Sequence, residues 1–166
     1  MTTEDTPPRS LQTSSSRSIS IIKSSDMTDI TLAQALRIID AALSEARKLN
    51  LQPMTVAVLD RGGHLTALKR EDNSGNMRAE IAAAKARGAL GLGQSTRVMS
   101  ERVDHLPHFF AAIAALTDGN VIPVPGGVLI HDTEKRVRGA IGISGDTADN
   151  DEKCALVALA AVSLSD

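Results

Sequence analysis

Apolar residues return at intervals of three and four from Leu32 through Leu36, Ile39 and Leu43 to Ala46. That period puts one apolar stripe on a helix over 31–50. Thr31 followed by Gln34 forms a capping box at its start, each side chain reaching the other's free backbone N–H. Asn50 and Pro53 mark its end. The pattern then changes. The run "MTVAVLD" over 54–60 is rich in β-formers, and "HLTALKR" over 64–70 alternates. Arg61, Gly62 and Gly63 between them make the tight turn of an antiparallel hairpin. A second helix is predicted over 77–92, with Ile81, Ala84, Lys85, Gly88 and Ala89 on one side. Its small residues allow a close approach to a sheet. The segment after Leu92 reads as a loop and then a short helix over 108–116, stopped at Gly119 and Asn120. Two further strands, "GGVLIHD" and "VRGAIGISG", turn at "TEKR". A last helix over 148–162 is apolar nearly all round in "CALVALAAV", which predicts deep burial. The order α, ββ, α, α, ββ, α predicts an α/β or α+β layered domain on an antiparallel sheet rather than a Rossmann sheet.

The chain has 166 residues, enough for one domain with its own core. Residues 1–29 are rich in Ser, Thr and Pro and are expected to form a disordered tail before a domain over 30–166. They lack an apolar core followed by a small-residue cleavage site, which argues against a secretory signal. A single cysteine, Cys154, excludes a disulfide framework. The net charge of −2 and the absence of Trp and Tyr argue against nucleic acid, because base stacking needs aromatic platforms. No apolar run reaches the roughly 18 residues of a membrane span. A cytoplasmic location is expected.

Four motifs stand in one order: "AVLDRGGHLTALKRED", "EIAAAKARGAL", "PVPGGVLI" and "VRGAIGISGDTADNDEKCA". In order and spacing they resemble the GlcG/HbpS-like family, which includes the C-terminal domain of PduO-type proteins and small proteins of catabolic operons. The resemblance runs from Ile30 to Val162. It implies a profilin-like fold, with a five-stranded antiparallel sheet and helices on both faces. It also implies a homo-oligomer, an octamer in several relatives, and haem or a related tetrapyrrole as ligand in some branches. Three departures stand out. Some haem-binding relatives hold the iron with a histidine near the first helix, and here no histidine precedes His64. The iron-binding branch carries a Glu-x-x-Glu pair, and here Glu80 is followed at the second position by Ala83. Asp146 follows Gly145 where relatives have a small residue.

The residues offer several chemistries. Pro125, Gly126 and Gly127 can bare backbone N–H groups to an anion, or simply feed a strand. No Gly-Lys-Ser/Thr follows, so they are not a P-loop. Asp149, Asp151 and Glu152 suit the positive end of the last helix as caps, and Asp151 matches the family's acidic pair and a place in the pocket. Lys85 on a small-residue face must snorkel or find an anion, so it is either an anchor to a loop carbonyl or Asp, or a ligand-binding group. His105 and His108 share a helix face without a third metal ligand nearby, so no metal site is assigned. His108 beside Phe109 and Phe110 suits a flat apolar ligand; equally, the rings fill the core and the histidine faces water. Cys154 inside an apolar helix is a core residue rather than a nucleophile, since burial raises a thiol pKa.

Two functions follow as expectations, with a purely structural oligomeric module as a third. One is an oligomeric binder of haem or a related tetrapyrrole, lined by His105, His108, Phe109, Pro125, Gly126 and Gly127. The other is a cofactor-independent enzyme or accessory protein of small-molecule catabolism. It would take a carboxylate or carbonyl compound in the same pocket, with Lys85, His108 or Asp151 handling protons.

Overall fold

The computed structural model describes residues 29–162. The expected disordered tail lies outside the described residues except for Asp29. That residue accepts a hydrogen bond from the Arg61 side chain at 2.8 Å. Five helices and four strands run in the order α1 (Leu32–Lys48), β1 (Thr55–Asp60), β2 (Leu65–Arg70), α2 (Arg78–Leu92), α3 (Thr96–Arg102), α4 (Pro107–Leu116), β3 (Gly127–His131), β4 (Val137–Ser144) and α5 (Ala148–Ala161).

The strands form one antiparallel sheet in the order β2-β1-β4-β3. The sheet therefore has four strands among the described residues, not the five that the family resemblance implies. The hydrophobic pattern itself offers only four strand-like runs. Between α4 and β3 the chain reads "VIPVP", and Pro123 and Pro125 have no N–H to give to a ladder, so this extended piece stays outside the sheet.

Helices cover both faces of the sheet. Val56, Val58, Ile130, Ile141 and Ile143 point to α1 and α5 and build one core with Ile38, Ile39, Cys154 and Ala158. Ala57, Leu59 and Ala140 point the other way, onto Ala82, Ala86 and Ala89 of α2. Burial on both sides explains why β1 reads as a continuous apolar run. The alanines bring α2 so near that a side chain at Gly142 would collide with the Ala82 carbonyl oxygen.

The capping box at Thr31 and Gln34 forms as expected. The buried stripe of α1 is Ala35, Ile38, Ile39, Ala42 and Ala46, whereas Leu32 is 57% exposed. The stripe is thus turned partly toward the small residues, with Leu36 and Leu43 flanking it. Helix α5 is not buried all round. Asp151, Cys154, Ala155 and Ala158 face inward, while Leu156 and Val157 are exposed. Helix α3 was expected to be loop. Ser95 caps it through the Val98 N–H, and Met99 anchors it in the interior.

Candidate functional site

The residues that gather are those at the end of the sheet where β4 runs into α5. Lys85 is carried there on the sheet-facing side of α2 and is 2% exposed. Its ammonium donates to the Ile143 carbonyl and to Asp151 Oδ2, both at 2.8 Å. Asp151 is equally buried, and its other oxygen accepts the Asp146 N–H at 3.1 Å. Burial pushes the Lys85 ammonium below its ordinary range and the Asp151 carboxyl above its own; the charge of each partner partly opposes both shifts.

Gly126 closes over this pair. It has a φ of +121°, which side chains avoid, and a Cβ there would meet Lys85 Nζ, Asp151 and the Ile143 carbonyl. Its carbonyl accepts the Ile143 N–H at 2.9 Å. The Gly127 N–H is given to Thr96 Oγ1 at 2.8 Å, and Pro125 is buried beside it. Thr96 is held by α3, and α3 is tied to α5 by Arg97, which pairs with Asp149 and with Glu152. The loop before β3 and the start of α5 thus meet in space, and Lys85 is the joint between them.

Beside the joint lies an open cleft of about 260 Å³, lined by Arg78, Ile81, Lys85, Ile122, Val124, Ser144, Asp146, Ala148 and Asp151. Arg78 Nη1 donates to Ser144 Oγ at 3.0 Å. Asp146 is saturated by donors: Asn150 Nδ2 at 2.7 Å, the Thr147 N–H at 2.8 Å and the Gln52 N–H at 2.9 Å. These bonds, that of Asn150 foremost, hold its carboxyl down to about 2. The cleft joins an apolar wall to a polar floor of two cations and two carboxylates.

His105, His108 and Phe109 stand elsewhere. All three are exposed, on or just before α4. Helix α4 approaches no other helix or strand among the described residues. Phe110 is its buried anchor, with the Phe109 ring edge-on to it at 5.3 Å. The expected single pocket is therefore divided: 125–127 belong with Lys85 and Asp151, while His105, His108 and Phe109 lie on a separate apolar helix. Cys154 is buried, and burial pushes its thiol up to about 11, so it is no nucleophile.

Sequence reasoning missed Arg78, Thr96 and Ser144. Arg78 left one signal, a cation in the first turn of a helix, where the helix dipole disfavours positive charge. Thr96 and Ser144 left none, because their partners are 31 and 66 residues away.

A family profile described as "Haem degrading protein HbpS-like" matches residues 30–160. Protein GlcG of Escherichia coli K12 is 35% identical over 119 residues, spanning 70% of this chain and 84% of GlcG. The fold is similar to that of the Klebsiella pneumoniae protein ORFY, with a TM-score of 0.75 and 26% identity over 95% of this chain and all of that one. It is also similar to a PduOC:haem complex, with a TM-score of 0.73 over 81% of this chain and 96% of that one. At 24% identity, that last likeness speaks to the fold alone.

Proposed function

The chain belongs to the HbpS-like family, and on that premise we propose that it is an oligomeric binder of haem or a related tetrapyrrole, with the macrocycle lying on the outer face of α4. The observation that carries this reading is the exposure of α4. Leu106, Phe109 and Leu116 are all exposed, Phe109 by 45%, on or at the start of a helix whose backbone approaches no other helix or strand among the described residues. Two exposed histidines, His105 and His108, stand at its start. A flat apolar ligand with a metal centre needs an apolar seat and a nitrogen donor, and this face supplies both. The cleft at Lys85 is the poorer seat for a macrocycle. Its volume of about 260 Å³ falls below the ~300–1,000 Å³ of pockets that enclose drug-sized ligands.

Haemin titrated into the purified protein and followed in the visible range tests this. A shifted Soret band is expected, lost in the His105→Ala/His108→Ala double variant and weakened by Phe109→Ala. A spectrum indistinguishable from that of free haemin, or a band that the double variant leaves unchanged, overturns the reading.

A second reading is favoured by one observation, the buried contact of Lys85 with Asp151 at the edge of an open cleft. There the chain would act as a cofactor-independent enzyme or accessory protein on a carboxylate or carbonyl compound, with this pair passing a proton.

A further inference from the structure

We propose that the cleft between α2, the 122–124 segment and the start of α5 is a seat for the carboxylate end of a short apolar acid, and that Arg78 is its anchor. The seat stands independently of the α4 reading, and it supplies the second reading with its binding step.

The argument starts from the charges. Lys85 and Asp151 neutralise each other in direct contact. Asp146 has its two oxygens engaged by three N–H donors. Arg78 is different. It is half-buried, its bond to the Ser144 hydroxyl uses one nitrogen, and among the described residues no carboxylate lies within ion-pair distance of it. A guanidinium carries five N–H donors in a planar fork shaped for a carboxylate. Placing it in the first turn of α2, against the helix dipole, is a cost that Asp146 and Asp151 offset only through space, and that a carboxylate in direct contact offsets further.

The shape supports the same ligand class. Ile81, Ile122 and Val124 line the cleft together with the charged residues, and Val124 remains 40% exposed. A short alkyl chain covering that wall removes apolar surface from water while its carboxylate meets Arg78. The Lys85 and Asp151 side chains border the same space. Phosphate fits less well, because it leaves the apolar wall uncovered and brings further negative charge toward Asp146 and Asp151.

The carboxylate has two sources, a free small acid or the propionate arm of a tetrapyrrole. Calorimetric titration of the full chain with butyrate, and with butyramide as its neutral counterpart, tests the seat. Butyrate is expected to bind and butyramide to bind at least tenfold more weakly. Arg78→Gln is expected to lower butyrate affinity about tenfold or more, with Arg78→Lys recovering only part of it. Thermal melts of both variants report whether they fold. Equal binding of butyrate and butyramide, no butyrate binding, or a folded Arg78→Gln variant that binds as the parent does overturns the proposal. Haemin titrated with and without saturating butyrate separates the sources. Competition identifies the propionate arm, and independent binding identifies a free acid. A failed haemin titration with butyrate binding intact removes the α4 reading and leaves this one standing.

Discussion

The residue that best shows how chemistry and stability share one place is Lys85. A lysine 2% exposed would ordinarily be costly, and here the cost is limited by two acceptors, the Ile143 carbonyl and Asp151 Oδ2. The pair is worth little relative to apolar groups of the same shape, because desolvation opposes the charge on both members. Breaking it is another matter. Asp151→Asn and Lys85→Met are each expected to cost about 3–5 kcal/mol in urea denaturation, since each leaves a buried polar group without its partner. The double variant should cost clearly less than the sum. Single variants that lose under about 1 kcal/mol would place the pair among exposed ion pairs of little worth and would contradict its burial. The sequence showed that Lys85 must snorkel or find an anion; it did not show which anion, because Asp151 lies 66 residues further along.

At the scale of elements, spacing controls what the helices can do. Helix α2 is a small-residue slab because β4 offers it a glycine. With Ala82 lying over Gly142, Gly142→Ala would push a methyl group into helix backbone. The expected loss is about 3 kcal/mol in thermal or urea unfolding, since the sheet and the helix cannot both stay in place. A variant as stable as the parent would mean that α2 slides freely on the sheet. The helices legible in the chain were α1, α2, α4 and α5. Helix α3 was not legible, because it is seven residues long and its stability comes from Met99 in the interior and Arg97 reaching α5. The stripe of α1 was placed slightly off its true face, because the leucines were weighed above alanines that pack closer.

At the scale of the whole molecule, apolar surface stays exposed on α5. Leu156 is 52% exposed and Val157 37%, both on α5. The proposed oligomer covers such surface with a second copy of the chain. Sedimentation at micromolar concentration is expected to give a mass above that of one chain of 17.4 kDa, and Leu156→Asp to lower it. A parent that sediments as a single chain would remove the oligomer from the proposed function. Among the described residues no helix is long and apolar enough to cross a membrane.

By itself the sequence determined the element order apart from α3, the two hairpins and the antiparallel sheet, and its four motifs pointed to the family. The elements rest on hydrophobic period, capping and turn residues, which act over a few residues, and the family on the order of the four motifs. The four motifs also pointed to 125–127 and to Asp151 as places of interest. Tertiary structure alone decided that these meet at Lys85, that Arg78 opens into their cleft, and that the histidine helix stands apart from them. The physical reason is distance along the chain. A buried cation or a glycine with a φ of +121° states that something lies against it, but the identity of that neighbour is set by how sheet and helices stack.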